Sequence, residues 1–177
     1  MLRKISGVEI GNYSIKLALC SRNGLLRAQS APLPDNVVKS GRITAPVAAG
    51  EQLRALRRSL RDAPRAAALV LPPSLVVSRR VTLPAMTEQE IALNLPYEFR
   101  DFLKGQNSEY YYDYIVQETV KDSSGKPEKL KLFASAVPSR AIAMYFSLFR
   151  SAGFRLKAAI PPEAGKNTWQ SPCLGRQ

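Results

Sequence analysis

Gly7-Val8-Glu9-Ile10-Gly11-Asn12-Tyr13-Ser14-Ile15-Lys16 is the stretch from which the fold is read. Apolar residues at Ile5, Val8 and Ile10, then at Ile15, Leu17 and Leu19, alternate in part with small or polar ones, as half-buried strands do. Gly11-Asn12-Tyr13 separates the two runs as a tight turn. Asn23-Gly24, a strong hairpin signal, leads into a third strand near Leu25 to Ser30, so the chain opens as an antiparallel meander. The first hairpin also carries chemistry. A carboxylate ends one strand, a glycine opens the turn, amide and hydroxyl groups follow, and a lysine starts the next strand. Gly11, Asn12, Tyr13, Ser14 and Lys16 are therefore candidates to hold phosphate oxygens, and Glu9 to hold a hydrated magnesium ion. The same spacing also suits an ordinary β-turn with a surface lysine.

Working outward, Leu53, Leu56 and Leu60 recur at helical spacing and predict a helix from about Ala45 to Arg61, after the loop around Pro32 and Pro34. Arg54, Arg57, Arg58, Arg61 and Arg65 fill much of the rest of this helix and its exit, as a solvated face whose stems cover apolar surface. Attraction to an anionic leaflet is the alternative reading of the same cluster. The continuously apolar run Ala66 to Leu71, stopped by Pro72-Pro73, predicts a strand buried on both faces. The order β-β-β-α-β is that of the start of a ribonuclease-H-like half-domain.

A second unit follows. Val76 to Leu83 reads as a strand, and Thr87-Glu88-Gln89-Glu90 has the spacing of a capping box. The helix it starts carries Ile91, Leu95, Phe99 and Phe102, with a kink or break expected at Leu95-Pro96. Tyr110, Tyr112, Tyr114 and Val116 alternate along a strand toward Val120, and Asp122 to Pro127 forms a hairpin loop leading to a strand at Leu130 to Val137. A last helix, roughly Ser139 to Ala152, places Ile142, Tyr145, Phe146 and Phe149 on one face and ends at Gly153. A strand from Phe154 to Ile160 returns to the first unit. The segment from Ala164 to Gln177 has no periodicity and reads as a mobile tail.

Composition bounds the function. The chain has 177 residues, 45% of them hydrophobic and 23% charged, which excludes a disordered or collagen-like protein. Its net charge of +12 favours acidic partners such as nucleic acid, anionic membrane or phosphate ligands. The absence of histidine removes the commonest general base and metal ligand, and Cys20 and Cys173 lie too far apart for a zinc motif. Hydrolysis by a Ser-His or Cys-His pair is excluded with them. Asp101, Asp113 and Asp122 read as cap, strand-edge and loop residues rather than as a kinase base. With no signal-peptide h-region and no run of about 18 apolar residues, a soluble cytoplasmic protein is expected.

The chain resembles the PilM family of type IV pilus assembly, actin-like relatives of the cell-division protein FtsA. The resemblance runs from about Gly7 to Glu163. It rests on the opening hairpin, Gly41-Arg42-Ile43, Leu71-Pro72-Pro73-Ser74, Arg80-Val81-Thr82-Leu83-Pro84-Ala85-Met86, Tyr112-Asp113-Tyr114 and Ala152-Gly153-Phe154. It implies an α/β fold, an incomplete ribonuclease-H-like (actin-like) half-domain with an inserted β-α-β-β-α subdomain. Residues 1–76 correspond to subdomain 1A, 77–153 to the inserted subdomain 1C, and 154–163 to the return to 1A, with a divergent tail over 164–177. The implied function is a cytoplasmic scaffold that binds ATP and Mg2+ and grips the N-terminal peptide of an inner-membrane PilN-type partner between 1A and 1C, near Val76 to Leu83 and Phe154 to Ile160. The first phosphate motif of the family carries Asp where this chain has Glu9. The second half of the family's nucleotide clamp has no counterpart here, so ATP binding is expected to be weak or lost and catalysis absent. A chain truncated by design, by a premature stop or by a frameshift near Ala164 is the expectation. The rival reading is a small basic nucleic-acid-binding module, against which the strand Leu130 to Ala136 lacks the glycine and aromatic pattern of an RNA platform.

Overall fold

In a computed structural model, residues 4–103 and 109–163 are described. The expected mobile tail over 164–177, and Cys173 within it, lie outside them. The chain forms two compact units, one joining the residues through Leu75 with those from Ala141 onward, the other spanning Val76–Arg140.

The first unit is built on a five-stranded sheet in the order β10-β6-β1-β2-β3. Strands β1 (Ile5–Ile10), β2 (Ser14–Ser21) and β3 (Gly24–Pro32) form the antiparallel meander, and β6 (Ala66–Val70) lies parallel to β1. Strand β10 (Arg155–Ile160) pairs parallel to β6. Alternation works as the sequence implies, because Val8, Ile10, Ile15, Leu17, Leu19, Ala67 and Leu69 are buried on one face. Helix α1 (Pro46–Ser59) packs on β2 and β3 and contributes Leu53 and Leu56. Strand β6 departs from expectation: Ala67 and Leu69 are buried, but Val70 on its other face is 38% exposed, so it is covered on one face only. Between β3 and α1 lie two two-residue strands, β4 (Val38–Lys39) and β5 (Arg42–Ile43), joined by Ser40 and Gly41, both at positive φ.

Helix α3 (Ser139–Ser151) closes the first unit against α1. An alanine methyl at Gly50 would stand 2.8 Å from Ser151 Oγ, so the glycine is what lets the two helices approach. Phe146, expected on the buried face, is 51% exposed, and Leu148 takes its place in the core. Gly153 adopts φ +84 just past the helix end, where its N–H donates to Arg150 O and that of Phe154 to Phe149 O. The helix expected inside the insert thus falls, from Ala141 on, in the first compact unit, where it packs on Gly50 and is bonded by Arg54 of α1.

The second unit is a three-stranded antiparallel sheet in the order β7-β9-β8, from β7 (Val77–Pro84), β8 (Tyr110–Lys121) and β9 (Pro127–Pro138). Helix α2 (Glu88–Phe99) lies on one face, where Ile91, Leu95 and Phe99 pack with Val81, Leu83, Leu132, Ala134 and Ala136. The capping box forms: Glu90 N–H donates to Thr87 Oγ1, and the Glu90 carboxylate accepts from the Thr87 N–H at 2.7 Å. The helix runs through Pro96 as one element and ends at Phe99. Only one i→i−4 bond is lost, and its acceptor would be the carbonyl of exposed Ala92.

Candidate functional site

The β1–β2 turn places the candidate phosphate residues at one end of the first sheet. The Gly11 N–H donates to Ser14 O at 2.9 Å, and the carbonyl of Tyr13 accepts from the Leu33 N–H at 2.8 Å, which fixes the turn against the end of β3. Asn12 is exposed, but its Oδ1 is engaged, accepting from the Gly41 N–H at 2.9 Å. Gly41, at φ +74, sits so close to a third loop that a Cβ there would lie 2.4 Å from Ser74 Oγ and 3.3 Å from Pro72 Cβ. Three loops, around Gly11-Asn12, Ser40-Gly41 and Pro72-Ser74, therefore converge at this end of the first unit. Tyr13 is 80% exposed, and Ser14 is half-buried at the start of β2.

Glu9 and Lys16 are directly cross-strand in register, and Lys16 Nζ lies 3.0 Å from Glu9 Oε1. The two groups expected to meet magnesium and phosphate thus neutralise each other. Both are about half exposed, and an exposed pair of this kind contributes roughly 0–1 kcal/mol, so an incoming phosphate can recruit the lysine at little cost. Among the described residues no cluster of three or more Cys, Asp or Glu side chains is placed to hold a metal. Glu9 as a lone carboxylate suits an outer-sphere contact to hydrated magnesium, and the hairpin suits one phosphate group; directly ligated metal does not fit this donor set.

The arginines of α1 divide in a way their spacing does not show. Arg54 donates twice to the Ser151 carbonyl, at 3.0 and 2.5 Å, and so caps the C-terminal end of α3. The Arg57 guanidinium stacks 5.4 Å from the Phe154 ring centre. Arg58, Arg61 and Arg65 remain exposed. In the second unit, Arg79 bonds the Glu98 carbonyl and stacks 4.3 Å from the Phe102 ring centre.

The second unit also holds a cavity of about 440 Å3 between α2 and β8, lined by Glu88, Leu95, Asp113 and Tyr110, Tyr112 and Tyr114 among others. Burial pushes the Tyr112 and Tyr114 hydroxyls up, and for Tyr114 the nearby Glu88 and Asp113 charges add to it. These three tyrosines pack against the α2 core, so they serve the unit's interior rather than a stacking platform. Asp122 accepts bonds from Ser124 and Lys126 in the β8–β9 turn, and Asp113 accepts from the Tyr114 N–H.

With this geometry in hand, the family model described as type IV pilus assembly protein PilM matches residues 7–159. A solved PilM-PilN type IV pilus biogenesis complex contains a chain of the same fold, at 20% identity and a TM-score of 0.75, covering 88% of this chain and 46% of that one. The cytoplasmic domain of EpsL, an inner-membrane component of the type II secretion system of Vibrio cholerae, matches at 12% identity and a TM-score of 0.59. That match covers 90% of this chain and 57% of the EpsL domain. The shared architecture is the mixed α/β, actin-like fold expected from the sequence, and this chain spans about half the length of these structures. No curated protein sequence matches it.

Proposed function

The chain belongs to the family of the type IV pilus assembly protein PilM, and from that premise we propose that it is an actin-like scaffold gripping the N-terminal peptide of a PilN-type inner-membrane protein. The family match over residues 7–159 carries the reading. Its support in the fold is that β7 and β10, the strands of the Val76–Leu83 and Phe154–Ile160 segments, are each the edge strand of their own sheet. An edge offers an extended peptide a row of backbone donors and acceptors, while alternate side chains select its sequence. In this reading residues 1–76 and 154–163 serve as subdomain 1A, joined by the helix from Ala141 on, and the rest of 77–153 as subdomain 1C. The protein works at the inner face of the cytoplasmic membrane because its partner is anchored there.

ATP and magnesium belong to the same reading only in part. Lys16 would meet a phosphate group and Glu9 a water of hydrated magnesium, with the Asn12–Gly41 bond holding the turn in shape. Phosphate charge is what a bound nucleotide would supply here. One hairpin gives too few contacts to hold it tightly, and the scaffold role does not depend on it. Titrating a labelled PilN N-terminal peptide into the purified chain, with a scrambled peptide as control, tests the proposal.

A further inference from the structure

The end of the first sheet opposite the candidate phosphate hairpin gathers cations from four separate segments. Register defines that end: Arg155 of β10 pairs with Ala66 of β6, Ser6 with the adjacent Ala67, Ile5 with Cys20, and Cys20 with Leu25 of β3. One row across the sheet therefore runs from Arg155 to Leu25, spanning four strand intervals, or about 19 Å. Just beyond the row lie Lys4, Arg22 in the β2–β3 turn, and Arg65, whose carbonyl accepts from the Arg155 N–H at 2.6 Å. The α1–β6 loop reaches the same end, because Asp62 lies 3.9 Å from Arg27. Lys4, Arg22, Arg61, Arg65 and Arg155 are all exposed, and none has an ion-pair partner among the described residues. Asp62, paired with Arg27, is the one acid on these segments.

At the β3 edge of this row of cations, the strand residues just past the polar turn are apolar. Leu25 is 64% exposed and Leu26 48%, although exposed positions of an edge strand have every freedom to be polar. Leu26 stands at a bulge, where the register shifts between the Leu19 and Cys20 pairings. The tip is held in shape by the Asn23 N–H bonding Ser21 Oγ at 3.2 Å, and a Cβ added at Gly24 would meet nothing within 4 Å, so it stands clear of the rest of the unit. Neighbouring exposed leucines at the edge of a row of arginines and a lysine match the chemistry of a bilayer interface, where apolar groups enter the headgroup boundary and cations meet anionic lipid. Nucleic acid is a poorer fit, since Phe154 beside Arg155 is buried and no exposed aromatic side chain stands on these segments to stack on a base.

We propose that the β2–β3 hairpin end of the first sheet is a lipid-contact surface by which this chain itself docks on an anionic bilayer. The contact shares Arg155, the first residue of β10, with the proposed peptide edge and otherwise lies at the opposite end of the sheet from the candidate phosphate hairpin. The test uses the full chain with sucrose-loaded vesicles of pure phosphatidylcholine, and of phosphatidylcholine with about 30% phosphatidylserine, at physiological ionic strength. Sedimentation with the anionic vesicles alone, weakening as salt rises, is expected. Each cation near the surface is worth about fivefold in affinity, so Arg22→Glu/Arg65→Glu/Arg155→Glu should lower binding by about a hundredfold or more. Leu25→Ser/Leu26→Ser should weaken binding and leave its salt dependence intact. All five substitutions fall at exposed positions, and circular dichroism checks that the variants fold. Equal recovery with both vesicles overturns the proposal, as does anionic binding that the triple reversal leaves unchanged. Absence of vesicle binding together with tight binding of a single-stranded oligonucleotide, lost in the same triple variant, overturns it in favour of nucleic acid. Absence of vesicle binding with a dimer that Leu25→Ser/Leu26→Ser dissolves overturns it in favour of self-association.

Discussion

Replacing Gly50 by alanine sets two favourable effects against one unfavourable contact. In a helix interior the change gains about 0.8–1 kcal/mol in backbone propensity. Burial of the new methyl adds about 0.8 kcal/mol. Opposing them, the methyl would stand 2.8 Å from Ser151 Oγ, closer than carbon and oxygen tolerate. The next atoms, Leu148 O and Cγ, lie at 3.8 and 3.9 Å and leave ordinary room. The serine must therefore rotate and release its 2.8 Å bond to the Leu148 carbonyl, which costs about 1 kcal/mol, with some residual crowding on top. Gly50→Ala alone should consequently change stability by less than about 1 kcal/mol. In a Ser151→Ala background the obstructing oxygen is gone, and the same change should stabilise by about 1.5 kcal/mol. Urea unfolding of the four proteins followed by circular dichroism gives the coupling, expected near 1 kcal/mol. Additive effects would refute the Oγ contact as the limiting one. A loss above about 2 kcal/mol in both backgrounds would show that the backbones of α1 and α3 cannot move apart at all.

Three further outcomes follow from single sites. Tyr145 is fully buried, its hydroxyl finds no hydrogen-bond partner among the described residues, and burial pushes it from 10.0 up to about 12. Tyr145→Phe should stabilise by about 1 kcal/mol. Because the folded value is raised, the wild type should lose stability as pH climbs from about 10 toward about 12, and the variant should lose less; identical alkaline limbs would count against this. At the capping box, hydrogen bonds from the Thr87 backbone and side chain hold the Glu90 carboxyl below its usual range. A depressed value stabilises at neutral pH and is lost as pH falls through it, so Glu90→Gln should flatten the acid limb of thermal unfolding. Calorimetry with ATP and magnesium should show at most weak binding, and micromolar affinity abolished by Lys16→Ala would contradict that.

What the sequence reveals and hides follows from the range of the forces involved. The meander, the Thr87 box and the Gly153 stop are visible because each is decided within a few residues of chain. The β4–β5 hairpin escapes the pattern, since two-residue strands carry no period and its turn uses Ser40 at φ +50 beside Gly41. Arg54 reads as a solvated side chain because its acceptor, Ser151 O, lies 97 residues away. Strand β6 reads as doubly buried because alanines are apolar without demanding cover on both faces. The Glu9–Lys16 pair was within reach, since placing Ile10 opposite Ile15 across the turn sets those two charges face to face. The Asn12–Gly41 bond was not, because it joins two loops whose meeting depends on how the chain between them folds.

The scaffold reading stands or falls on peptide capture. Fluorescence anisotropy of a labelled PilN N-terminal peptide, titrated with the chain, should rise to saturation in the micromolar range and be reversed by unlabelled but not by scrambled peptide. A chain that is folded by circular dichroism and gives no saturable change, or the same change with the scrambled peptide, would contradict it.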